Sequence, residues 1–329
     1  MSRAKYTDDD PSVGKQMSEF RAELEAKRIS DIRKDPAPAH EQTRITPQWG
    51  VHDSIPFMRY LQWDAYGSGA VREVGRSPAH HRFHYENGKD IASSRARMGS
   101  AVHACVLEPD TEWGRYYPLP DGIDRRHKAY KAAVLEFGAD YVLRADEYRQ
   151  ALNIRDRLHE HSRIGRLLEN GRAEVSFAWT DNDTDVPLKG RADWISQRIA
   201  GGAVLDLKTT ADARGTRFRR VATDFDYAVQ GAHYTSGLQA WGVDVSHYAI
   251  IAVELNPPHE VTLYQLAQSD LIIADEVWRA QVDLLAHCTK VEKWPGYPEH
   301  THVLSMGPYW QADMQARVAH IRDFLKRQG

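Results

Sequence analysis

"VLDLKTTADA", Val204–Ala213, starts as a buried β-strand and then breaks its own pattern. Side chains on a strand alternate with period two. Leu205 and Leu207 therefore share one face, and Asp206 and Lys208 share the other. A core strand that sets a carboxylate beside an amine needs a reason. The ordinary one is a solvated face with a weak ion pair. The neighbouring segments supply another.

Upstream, "AEVSFAWT" (173–180) alternates like a strand and "DNDTDVP" (181–187) reads as a turn. "LKGRADWISQRI" (188–199) is a second strand, and Gly201-Gly202 reads as a tight hairpin into "AVLDLKTT" (203–210). Folding that hairpin brings Asp193 beside Asp206. Two carboxylates on adjacent strands repel each other and lose hydration unless a cation sits between them. A hard divalent ion such as Mg²⁺ is often held by one or two carboxylates plus phosphate oxygens. Lys208 stands where it can orient or deprotonate a water. The set fits metal-assisted phosphodiester hydrolysis.

Helices flank these strands. In "SSRARMGSAVHACVLEP" (93–109), Met98, Ala101, Val102, Cys105 and Val106 recur at helical spacing, and Pro109 stops the run. Residues 126–169 read as two helices joined near "FGADYVLRADE". "DYAVQGAHYTSGLQAWG" (226–242) is helical and closes on Gly242. "SHYAIIAVEL" and "EVTLYQLA" pair across "NPPH", and a long helix follows with Trp278, Val282 and Leu285 on one stripe. The order of elements indicates a mixed α/β core.

The 329-residue chain is 42% hydrophobic and 27% charged, with a formal net charge of −3. This is the composition of an ordinary globular protein, so any surface for a polyanion must be local. Two distant cysteines, Cys105 and Cys288, exclude a disulfide framework and a four-cysteine metal site. No run of eighteen apolar residues exists, and the N-terminus lacks a signal-peptide core, so the expected compartment is a reducing cytoplasm, with no membrane partner. Residues 1–45 are charged and read as a flexible tail or partner arm, with the folded region over 46–329. "HHRFH" (80–84) reads as a loop or surface cluster, and "GSGA" (67–70) lacks the context of a phosphate loop. Two basic runs remain, "RRHKAYK" (125–131) and "RGTRFRR" (214–220). The second follows the Asp-Leu-Lys strand directly, where an arginine-rich rim suits a DNA channel.

"GRADWI…AVLDLKTT" resembles the core motif of the PD-(D/E)xK nuclease superfamily. "GRSPAHHRFHYEN", "RMGSAVHACVLEP" and "YAVQGAHYTSGLQ" resemble the RecE-like exonucleases of phages and prophages (exodeoxyribonuclease VIII type) in family order. The RecB nuclease domain and lambda exonuclease are more distant likenesses. The resemblance covers most of residues 60–290. It implies a restriction-endonuclease-like α/β core, a mixed central sheet flanked by helices. It implies metal ligands at His103, Asp193 and Asp206, with Glu174 secondary, and a catalytic lysine at Lys208. Gln230 and Tyr234, at i and i+4 on one helix face, would border the active site. Arg191, Arg214, Arg217, Arg219 and Arg220 are the candidate phosphate contacts. The implied activity is Mg²⁺-dependent hydrolysis of double-stranded DNA from its ends, 5′ to 3′, with Mn²⁺ able to substitute. It would leave 3′ single strands for an annealing partner, in a ring of subunits, within a bacterial host. An endonuclease of the same fold and a DNA-binding assembly protein are the competing readings. His103, Asp193 and Asp206 are expected to converge on one point with Lys208 beside it. Asp206→Ala is expected to leave the fold intact and to relieve carboxylate repulsion.

Overall fold

The computed structural model describes residues 44–87, 94–299, 304 and 306–328. Nearly all of the expected N-terminal tail, residues 1–43, lies outside the described residues. The chain opens with β1 (Gly50–His52), α1 (Phe57–Gln62), α2 (Ser68–Arg76), α3 (Pro78–Asn87) and α4 (Ser94–Leu107). Next come β2 (Tyr117–Pro118), α5 (Lys128–Phe137), β3 (Val142–Leu143), α6 (Ala145–Glu160) and α7 (Ile164–Leu168). The central strands are β4 (Gly171–Thr180), β5 (Pro187–Ser196) and β6 (Ala203–Thr210). Helices α8 (Gly215–Asp224) and α9 (Tyr227–Gln239), strands β7 (His247–Glu254) and β8 (Val261–Gln265), and helix α10 (Gln268–Val291) complete the first compact unit, which ends at Pro295. A second unit, Gly296–Gly329, carries α11 (Pro308–Gln328).

Six strands form one sheet in the order β1-β4-β5-β6-β7-β8. Its pairs are antiparallel except β6 with β7, so the sheet is mixed. β2 and β3 make a separate parallel pair.

Strand alternation sorts side chains into two apolar layers. Val204, Ile250 and Ala252 face a layer built with α2, α9 and α10. Leu205, Leu207, Ile251 and Val253 face the layer of α4, α6 and α7. Each fully buried Leu, Ile or Val contributes about 1.5–3 kcal/mol of burial free energy, so the two layers together fix the register of β6. α10 lays Leu271, Ala274, Trp278, Val282 and Leu285 along one buried stripe. α9 lies close to the sheet because two glycines permit it. A Cβ on Gly237 would stand 2.5 Å from the Trp179 ring, and one on Gly231 would stand 2.8 Å from Tyr248.

Two local expectations are corrected. Gly201-Gly202 is not a two-residue hairpin. The ladder closes at Ser196–Ala203, and residues 197–202 connect the strands. Both glycines take positive φ, 77° and 61°, which a side chain resists. "HHRFH" is helical, within α3. His81 is buried there, bonded to the Ala70 carbonyl at 3.0 Å and stacked on Trp294.

Candidate metal centre

β5 and β6 part where the chemistry begins. Their ladder closes at Trp194–Leu205. One further rung would set Asp193 opposite Asp206, but no pairing continues there. The Asp193 carboxylate enters the gap instead, and its Oδ2 accepts the Leu207 N–H at 2.7 Å. A backbone donor that the broken ladder would strand is thereby satisfied.

On the other side of β5, Ala173 pairs with Trp194 and Val175 with Ala192, which sets Glu174 level with Asp193. Glu174 has φ of 49°, a left-handed conformation that costs a non-glycine residue about 1–2 kcal/mol. The alternation slips at this rung on both strands. Val175 and Ala192 face the α9 layer, whereas Ala173 and Trp194 pack in the α4 layer. Strain of this kind collects at functional sites.

His103 comes from α4, the helix that packs on Leu205 and Leu207. Its Nε2 lies 2.7 Å from the Leu207 carbonyl oxygen. A carbonyl only accepts, so Nε2 carries the proton and the Nδ1 lone pair of the neutral ring is left for another partner. Nδ1 stands 3.6 Å from Asp193 Oδ2, beyond hydrogen-bond length. Metal-bound histidines are oriented in this way, with the distal N–H held by a carbonyl.

One ligand atom each from His103, Glu174 and Asp193 lies within 4.8 Å of the other two. Burial and then the Asp193 charge push the Glu174 carboxyl up to about 7, against the opposing pull of Arg191 and His103. One imidazole nitrogen and two crowded carboxylates make a donor set that fits a divalent cation. A cation there would relieve the crowding that raises Glu174.

Asp206 does not join this trio. It is 0% exposed and lies on the α9 side of the sheet. Its Oδ2 contacts the Lys208 ammonium, and its Oδ1 accepts from Gln230 Nε2 at 3.2 Å. Gln230 also donates to the Tyr234 hydroxyl at 3.1 Å, so the i, i+4 pair on α9 holds Asp206 rather than the cation ligands. The β5–β6 ladder stops one rung short of pairing the two aspartates, and the charges of Asp193 and His103 still reach Asp206. Burial raises the Asp206 carboxyl, offset in part by Lys208. Burial works against the charged form of Lys208, but Asp206 and Asp193 outweigh it and hold the amine above its ordinary value. Asp206 thereby favours the charged form of Lys208.

Arg191 is also corrected. It is buried, and its guanidinium is engaged within the protein. Nε donates to Glu174 Oε2 at 2.5 Å, and Nη1 donates to the Ile55 carbonyl at 2.7 Å and Ser176 Oγ at 2.8 Å. Nη2 reaches Glu108 Oε1 at 3.4 Å. Arg191 therefore steadies Glu174, and burial raises the Glu108 carboxyl beside it. Arg214, Arg217, Arg219 and Arg220 are all exposed, at the cap and on the surface of α8. Arg214 is paired with Asp212 at 2.6 Å.

The sequence reading places Glu174 in a secondary role. The hairpin count could have promoted it, because pairing Thr180 with Pro187 brings Glu174 opposite Asp193.

Residues 71–306 match the family described as "PDDEXK-like domain of unknown function (DUF3799)". A solved structure from Eubacterium rectale, titled as a "Putative exonuclease", is similar in fold at a TM-score of 0.51 and 17% identity. The match covers 74% of this chain and 90% of that one. A weaker likeness, to a protein titled SSO0001, has a TM-score of 0.34 and 12% identity over 80% of this chain and 86% of that one. No curated protein matches the chain. Among the described residues no helix is long and apolar enough to cross a membrane. With that match spanning well over half of its length, the chain belongs to the PDDEXK-like family DUF3799, within the PD-(D/E)xK nuclease superfamily.

Proposed function

We propose that this protein is a RecE-like exonuclease that degrades double-stranded DNA from its ends, 5′ to 3′, using Mg²⁺ or Mn²⁺. The observation that carries the reading is the trio of His103, Glu174 and Asp193, with Nδ1 of His103 left as a lone-pair donor by the Leu207 carbonyl. A divalent cation bound there would polarise a phosphoryl oxygen and make a water more acidic. The chain's own residues would do the rest. His103, Glu174 and Asp193 hold the cation. Arg191 keeps the Glu174 carboxylate in place. Lys208, charged and fixed by Asp206, offers a proton and a positive charge to the phosphate as charge develops on it. Gln230 and Tyr234 keep Asp206 turned toward Lys208.

The exposed arginines of α8 follow β6 and suit phosphate contacts along the duplex. The Eubacterium rectale protein of similar fold carries an exonuclease title, which agrees with this reading. Residues 46–329 would form the exonuclease region and residues 1–45 a charged arm. Polarity, the annealing partner, the ring of subunits and the bacterial cytoplasm follow from the resemblance to RecE-like exonucleases.

The test uses linear duplex labelled at the 5′ or the 3′ end, with Mg²⁺ or with EDTA. Early loss of the 5′ label alone, only with Mg²⁺, is the expected result. Nicking of closed circular DNA would instead make the protein an endonuclease of the same fold.

A further inference from the structure

Helix α1 has no buried residue, and of its large apolar side chains Phe57 and Leu61 are exposed whereas Met58 is half-buried. Phe57 is 43% exposed and Leu61 is 41% exposed. At i and i+4 they share one face. A six-residue helix does not sustain itself in water. Two cations on β5 pin this one. The Lys189 ammonium donates to the carbonyls of Tyr60 and Leu61 at 3.1 Å each and of Trp63 at 2.7 Å, at the helix's C-terminal end. Arg191 donates to the carbonyl of Ile55 at 2.7 Å, just before its start.

Arg191 also ties α1 to the metal centre. Its Nε bonds Glu174, and its guanidinium carbon lies 5.8 Å from the centre of the Phe57 ring. One side chain thus separates Phe57 from a cation ligand. Phe57 stacks on Tyr60, which in turn packs edge-on against the buried Trp63, and no residue of α1 is itself buried. An exonuclease that consumes one strand of a duplex must part the end from its complement, and the bases it unpairs need a surface. Aromatic and apolar side chains supply one, because every base has a π-face.

From this placement, and resting on the nuclease reading above, we infer that α1 is a base-stacking platform. Phe57 and Leu61 take unpaired bases of the strand whose phosphate is cut at the His103–Glu174–Asp193 centre. Lys189 and Arg191 are positioning residues that hold the platform beside that centre.

The test uses the full chain in EDTA, and fluorescence anisotropy reads its affinity for a single-stranded oligonucleotide and for a duplex sealed by hairpins at both ends. Phe57→Ala should weaken single-strand binding by about tenfold, the loss of one stacked base. Phe57→Trp should keep the affinity, and Phe57→Ala with Leu61→Ala should lose more. The salt slope should not change, because no phosphate contact is removed. Affinity for the sealed duplex should also stay constant. Wild-type single-strand affinity in the double variant would overturn the platform, as would an equal loss on the sealed duplex. A change of sedimentation in the double variant would overturn it as well and make the face a protein interface. A wild-type chain that cleaves DNA with Mg²⁺ while Phe57→Ala binds normally overturns the platform alone. A wild-type chain that neither binds nor cleaves any nucleic acid overturns the function and the platform together.

Discussion

Holding two carboxylates and an imidazole lone pair together costs free energy that a bound cation would recover. Burial, and then the Asp193 charge, push the Glu174 carboxyl up to about 7. Glu174→Gln should therefore raise the melting temperature of the metal-free protein and abolish the rise that Mn²⁺ gives the wild type. Burial raises the Asp206 carboxyl too, but replacing it with Ala removes the acceptor that Lys208 contacts. Its partner Lys208 is left without a counter-charge when the carboxylate is removed. Asp206→Ala should destabilise by about 3 kcal/mol, not relieve repulsion as the sequence alone suggests. Thermal unfolding of both variants in EDTA checks the pair. A stabilised Asp206→Ala would mean that the Lys208 contact contributes nothing. The sequence placed the two aspartates correctly on their strands. It could not show that Glu174 would cluster with His103 and Asp193, because that depends on how the strands part beyond the β5–β6 ladder.

At the scale of elements, α9 and α10 are joined by a buried polar contact. His233 Nε2 lies 2.9 Å from the Lys189 carbonyl oxygen, and Nδ1 accepts the Trp278 indole N–H at 3.0 Å. Protonating Nδ1 would set two donors against each other. Burial, the larger influence, lowers His233 to about 4. A histidine with a depressed folded pKa contributes stability that is present above its unfolded value, near 6.5, and lost as pH falls toward 4. Between pH 7 and pH 5 the loss should be about 2 kcal/mol. Urea unfolding in EDTA at the two pH values measures it, and His233→Gln should remove that part of the pH dependence. An equal loss in both proteins would contradict the assignment. The elements themselves were legible where periodicity was strong. α4, α9 and α10 and the strands β4 to β8 match the expected segments closely. The slip at Glu174 and Asp193 was not legible, because alternation assumes an unbroken pleat. Nor was α1, which buries nothing and so leaves no periodic signature.

Over the whole molecule the net charge is −3, and the exposed arginines of 214–220 are one local concentration of positive charge, directly after β6. Three elements meet at one cradle: α4 brings His103, β4 brings Glu174 and β5 brings Asp193. β6 adds the Lys208–Asp206 pair, whose charges interact with Asp193. If that cradle is the catalytic centre, activity must depend on a divalent cation and on Asp193 together. The most direct measurement is cleavage of a uniformly labelled linear duplex by wild-type protein and by Asp193→Asn, each with Mn²⁺ and with EDTA. The wild type should cleave with Mn²⁺ and stop in EDTA. Asp193→Asn, folded to the same melting temperature or higher, should lose activity by on the order of a hundredfold or more. Cleavage that survives EDTA, or full activity in Asp193→Asn, would contradict the metal centre.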